Sequence, residues 1–236
     1  MLAVVINAAL VLVGSVIGLL LKSKISEKLT KSLMHGLALC VMVIGIMSAI
    51  KTQDILCVII CMVVGILIGE FLRIEDRLDG LGKIVKSKFV RKGDSESRFV
   101  EGFMTTTLLF CVGSMAITGS MEAGINQNYS IIISKSVIDA VTSISFAATM
   151  GIGVCFSSLG VFVYQGLLTV LFILVGPFIS AEAINEMSAV GGLAIIAISL
   201  NMLDVLPAKI RSGNMLPAIF LPLAYIPLSN LIQSLF

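Results

Sequence analysis

Charge is scarce in this sequence. Lys, Arg, Asp and Glu make up 13% of its 236 residues, against about a quarter in an ordinary soluble domain, and that shortage argues strongly against a water-soluble enzyme. Histidine occurs once, at His35, and the five cysteines (Cys40, Cys57, Cys61, Cys111 and Cys155) form no CxxC pair. Cys57 and Cys61 share a helix face, but two thiols make a poor metal site by themselves and side-chain packing explains them better. No metal or cofactor is expected. A GK[ST] loop is absent, and Gly151-Ile152-Gly153 lacks the strand-to-helix setting of a dinucleotide fingerprint, so this chain alone is not expected to drive transport with ATP.

What the sequence has instead is apolar length. Hydrophobic residues are 58% of the chain and its mean hydropathy is +1.09. A hydrocarbon core roughly 30 Å thick needs about 20 mostly apolar residues per helix, and eight such stretches lie at 3–21, 32–50, 55–72, 103–121, 131–153, 158–178, 189–206 and 215–234. Strands of a membrane barrel alternate polar and apolar residues, whereas these stretches are continuously apolar. The expected fold is an all-α polytopic transmembrane bundle of about eight helices, forming one domain over 1–236.

Orientation follows from the basic residues. No charge precedes Leu2, and Lys22, Lys24, Lys28 and Lys31 follow the first stretch, which fits a retained helix and not a cleaved signal. Three segments that fall on one side of an eight-helix chain (after helix one, 73–100, and after helix seven) hold every Lys and Arg except Lys51 and Lys135. The opposite side has Glu122, Glu182 and Glu186. The basic side is expected to be cytoplasmic, placing both termini outside a bacterial inner membrane.

The one long polar insertion, 73–100, opens with a short amphipathic helix from Ile74 to Lys83 whose basic residues would meet anionic lipid. Acids interleave with the bases and aromatics are few, so nucleic acid is not expected as a partner. Gly36-Leu37-Ala38 matches Gly192-Leu193-Ala194. Each triplet opens an apolar helix after a glutamate-bearing connector, pairing helices 1–3 with 6–8 in an inverted repeat of the kind common in secondary transporters, although so short a match also arises by chance.

The unusual chemistry lies outside that repeat. Helix four carries Gly113-Ser114 and Gly119-Ser120 with Thr118 between them, as an interrupted helix presenting backbone groups to a solute would need; close packing through small residues is the alternative. In helix five, Lys135 and Asp139 are four apart and can meet on one face, either as a functional intramembrane pair or as a lysine snorkelling outward above its counter-ion. Ser143 and Ser145 continue that helix. Helix seven ends with Asn201 and Asp204 about one turn apart. Pro222 and Pro227 are expected to kink helix eight, and Asn7 and Gln165 are further amides within spans. Glu70, close to Arg73, reads as a local salt bridge.

Several segments taken together resemble a bacterial membrane family, domain of unknown function 554. They are Gly65-Ile66-Leu67-Ile68-Gly69-Glu70 with Arg73-Ile74-Glu75-Asp76-Arg77-Leu78, Phe110-Cys111-Val112-Gly113-Ser114-Met115 with Gly119-Ser120, Lys135-Ser136-Val137-Ile138-Asp139, and Ser188-Ala189-Val190-Gly191-Gly192. The resemblance implies a membrane location and a transport role, with no substrate or residue role to carry over. Ser114 stands where the family's Cys-x-Gly-Pro-like segment leads one to expect proline, which weakens the case for an unwound helix four.

The expected function is therefore a secondary transporter or channel-like permease for a small solute or ion. Its site would lie near the bilayer midplane on helices four, five and seven, with Gly113, Ser114, Thr118, Gly119 and Ser120 as backbone and hydroxyl ligands. Asp139 would bind a cation or proton, Lys135 would set the charge balance, and Asn201 and Asp204 would form the cytoplasmic end of the path. The rival expectation is a non-transporting sensor or partner subunit acting through 73–100. An intramembrane enzyme is not expected, since His35 and Asp139 have no evident catalytic companions. Small residues along the helices also suit a homo-oligomer.

Overall fold

A computed structural model of the chain describes residues 1–22, 26–89, 96–112, 114–175 and 179–233, and every regular element among the described residues is helical. The helices are α1 (Leu2–Lys22), α2 (Glu27–Ala49), α3 (Ile55–Phe71), α4 (Ile74–Phe89), α5 (Glu96–Val112), α6 (Ser114–Ile125), α7 (Ser130–Met150), α8 (Gly153–Val175), α9 (Ala181–Leu203), α10 (Leu216–Phe220) and α11 (Pro222–Gln233), with a 3-10 turn at Ser212–Met215 before α10. Among the described residues, five helices are long and apolar enough to cross a membrane, or up to eight spans if each of three bent pairs counts as one. The chain is a multi-pass helical membrane protein.

Side chains that would be a liability in water mark the lipid face. Val5, Leu12, Val16 and Leu20 on α1, and Ile59, Val63, Leu67 and Phe71 on α3, are exposed. α9 is enclosed along most of its length and forms the centre. Lipid tails are as apolar as leucine, so helices associate through close backbone approach, not by escape from water. α1 shows how: it packs on α7 through Gly14 and Gly18, where an added Cβ would fall 2.2 Å from the carbonyl oxygens of Ala140 and Ile144 respectively. α2 lies on α9 in the same way, with Gly45 against the Gly192 backbone.

Gly192 thus meets α2 closely, whereas Gly36, its counterpart in the repeated Gly-Leu-Ala triplet, meets nothing within 4 Å. The triplets match in sequence but not in packing.

The bends sit where the sequence interrupts itself. The axes of 98–111 and 115–125 diverge by 55°, splitting the expected fourth helix into α5 and α6. The expected eighth helix divides at Pro222 into α10 and α11, 42° apart, and Pro227 lies inside α11. α3 turns by 53° into α4, through Arg73 in a left-handed backbone conformation (φ 51°).

Helix seven begins earlier than the apolar run indicates. α9 starts at Ala181, capped by the Ser180 hydroxyl, which accepts from Ala183 N–H at 3.1 Å. Glu182 lies in its first turn and Glu186 is fully buried inside the bundle. The Thr52 hydroxyl and the Gln53 N–H (2.8 Å) both donate to Glu186, so the α2–α3 turn supplies what water would otherwise provide.

Candidate functional site

On the basic side, α3, α4 and the chain before α10 are clasped together. Arg211 reaches back to Glu70, 2.8 and 3.0 Å to its two carboxylate oxygens, and also to Asp76. Glu70 therefore pairs across the fold with Arg211; the expected partner, Arg73, bonds Asp76 at 2.9 Å. Asn214 donates to Glu70 at 2.6 Å and accepts from Glu75 N–H at 2.8 Å, while Gly213 N–H donates to the Glu75 carboxylate. Burial pushes the Glu75 carboxyl above its ordinary range, opposed first by the Gly213 N–H. Asp76 is held below its ordinary range, chiefly by hydrogen bonds from Arg73 and Arg211.

Beside this clasp opens a cavity of about 620 Å³. Four carboxylates (Glu75, Asp76, Asp79, Glu101) and three cations (Lys83, Lys209, Arg211) line it, and Lys209 pairs with Glu101 at 2.7 Å. Met104, Leu108, Ile198 and Met202 make its apolar part. Leu108 is about two turns along α5 beyond Glu101, and little more than one turn before the end of α5 at Val112, where the α5–α6 break begins.

Behind the break lies a buried polar cluster drawn from four helices. Lys135 and Asp139 of α7 form an ion pair, each 5% exposed. Lys135 does not snorkel to the surface: its ammonium sits 5.9 Å from the Phe110 ring centroid, on α5. Asn7 of α1 hydrogen-bonds the Asp139 carboxylate and donates to Gln165 Oε1 of α8 at 2.8 Å. The Cys111 thiol lies within the fields of both Lys135 and Asp139, and Tyr164 lies near Cys111. Asn7 Oδ1, Gln165 Nε2, the Tyr164 hydroxyl and the Thr107 hydroxyl are buried without a hydrogen-bond partner. Orphaned buried groups are rare because each forfeits its hydration.

The expected site residues divide accordingly. Lys135 and Asp139 are central. Gly113 lies outside the described residues, as does the side chain of Ser114, the residue that opens α6. Gly119 serves close packing, since a Cβ there would come within 3.0 Å of Ile132 on α7. Thr118 is half-buried beside it, and Ser120 is fully buried with an unpartnered hydroxyl.

Asn201 and Asp204 lie apart from this cluster, at the basic-side end of α9. Asn201 clamps the backbone N–H and C=O of Ile210, both at 2.8 Å, and borders the basic-side cavity. Asp204 is exposed and ends α9 in a left-handed conformation. α1 and α8 supply the amides in place of α9. Along α7 the Ser136 hydroxyl donates to Ile132 O, and that of Ser143 to the carbonyls of Ala140 and Val11. Asn7 and Gln165 were visible in the sequence as amides within spans; nothing in it paired residues 158 apart.

The sequence matches, over residues 2–226, the family described as protein of unknown function DUF554. The chain belongs to the DUF554 family. Among its relatives, the uncharacterized membrane protein YdfK of Bacillus subtilis (strain 168) is 30% identical over 228 residues, covering 94% of each chain. The uncharacterized protein YqgA of Escherichia coli (strain K12) is 30% identical over 218 residues, covering 92% of each. No solved structure matches this DUF554 chain.

Proposed function

We propose that this DUF554 protein is a secondary transporter or channel-like permease for a small solute or ion in the bacterial cytoplasmic membrane. The basic side faces the cytoplasm and both termini face outward. The observation that carries this reading is the buried Lys135–Asp139 pair with Asn7 and Gln165, whose amide Oδ1 and Nε2 atoms have no protein partner. Charges at membrane depth are costly, and where they persist they mark substrate and ion paths by default. The cluster lies at a break between two helices, the place where discontinuous membrane helices bind their cargo. The lining of the basic-side cavity includes Leu108, little more than a turn from that break.

Purified protein in sealed liposomes, screened against common ions, amino acids and organic acids, tests this. A flux conferred by the wild-type protein and changed by Asp139→Asn supports the reading. A flux indifferent to that substitution removes the site from the path. Folded protein that moves nothing would favour a sensor or partner subunit acting through 73–100.

A further inference from the structure

Resting on the transport reading, we propose that the Lys135–Asp139 site binds one proton and one small monovalent anion together, so that the protein moves both in the same direction with no net charge. Electroneutrality limits what the pair can hold. The pair is buried, and its two charges cancel. An occupant that left either charge uncompensated at this depth would be strongly disfavoured. When a proton and one ion exchange at the pair, two arrangements keep the total at zero. In one, Asp139 takes a proton and Lys135 takes an anion. In the other, Lys135 gives up a proton and Asp139 takes a cation.

The neighbours favour the first. The Phe110 ring near the Lys135 ammonium stabilises a cation more than a neutral amine. Asn7, already bonded to Asp139, carries an unpartnered acceptor, Oδ1, to which a protonated carboxyl can donate. Gln165, one hydrogen bond further along, carries an unpartnered donor, Nε2, suited to an anion held by Lys135. In the loaded state the proton resides on an Asp139 oxygen, its hydrogen bond runs to Asn7 Oδ1, and the anion replaces that carboxylate against Lys135. Release of both restores the pair.

Among the described residues, no other group around the pair supplies the charge change. α5 presents the Cys111 thiol, and α8 presents Tyr164 and Gln165. The one carboxylate of α6, Glu122, is hydrogen-bonded by Asn126 and Asn128 at that helix's end. Past His35, the only titratable side chain of α2 is Cys40, on its exposed side. The basic-side cavity carries four carboxylates and three cations, so its mouth does not select an anion and the choice falls to the deep pair.

The test uses wild-type protein in liposomes containing a pH-sensitive dye, with membrane potential clamped by potassium and valinomycin. Chloride, nitrate and lactate serve as probes. An inward gradient of at least one of them is expected to acidify the interior severalfold faster than in protein-free liposomes, at the same rate whether the clamp is at zero or inside-negative. With Asp139→Asn the proton movement is lost and any remaining anion flux becomes sensitive to potential. Anion movement that carries current, or cation gradients that drive protons the opposite way, would overturn the coupling and leave the transport reading standing. Folded protein that moves no solute would overturn both. The wild-type measurements decide the matter even if the variant fails to fold.

Discussion

Replacing Lys135 and Asp139 one at a time and then together separates their electrostatics from their packing. Both side chains are almost wholly sequestered, 6% and 7% exposed. Breaking a buried pair by removing one partner costs about 3–5 kcal/mol, because the survivor stays charged and buried. Asp139→Leu leaves the ammonium the Phe110 ring, worth about 0.5–2 kcal/mol, so a loss of about 4 kcal/mol is expected. Lys135→Met leaves the carboxylate its Asn7 hydrogen bond, and the loss should be nearer ~3 kcal/mol. The double variant, Lys135→Met with Asp139→Leu, removes both charges and fills the space with apolar side chains. Such replacements range from neutral to stabilising, so it should lie within about 1 kcal/mol of wild type. The assay is reversible unfolding in mixed micelles, titrated with a denaturing detergent, for all four proteins. Because a chain unfolded within micelles finds partners for its polar groups, these figures are upper values. Single losses that simply add in the double variant would refute the reasoning, since the residues would then not be coupled.

Gly14→Leu should destabilise the protein by more than the roughly 1–3 kcal/mol of ordinary overpacking, since even a Cβ would meet Ala140 O at 2.2 Å; Gly36→Leu, at open space, is the control, and thermal unfolding in detergent reads both. At the clasp, neighbouring carboxyls act with opposite sign. The raised Glu75 contributes stability in acid that is lost as pH rises through its elevated value, so Glu75→Gln should gain on wild type as pH rises. The depressed Asp76 contributes above the ordinary aspartate range and loses that as pH falls, so Asp76→Asn should be weaker at neutral pH and converge with wild type in acid. Unfolding midpoints across pH check both signs. Cysteine introduced by Asp204→Cys, an exposed basic-side position, should react with an impermeant thiol reagent only after cells are opened; labelling of intact cells would reverse the orientation.

The apolar runs located α1, α3 and α7 closely, and α2 and α8 with starts five residues late, because lipid demands continuous hydrophobic length. They failed where the protein itself solvates a polar residue. Glu182, Asn185 and Glu186 read as a connector, yet they begin α9, and Glu186 is satisfied by Thr52 and Gln53 more than 130 positions away. Glu96, Arg98 and Glu101 similarly hid the first turns of α5, where Glu101 meets Lys209. Lys135 and Asp139 were legible because their spacing of four is a local rule. Their companions were not, because Asn7 and Gln165 meet only when α1 and α8 pack together. Asn201 and Asp204 lie at the basic-side end of α9, where Asn201 holds Ile210 and lines the cavity while Asp204 ends the helix.

The most direct measurement is solute flux by the folded double variant, Lys135→Met with Asp139→Leu, beside wild type in the same liposomes. The result expected is a protein of near-normal stability that no longer carries the solute moved by wild type. Undiminished flux through a protein without these two charges would contradict a transport path through the buried pair.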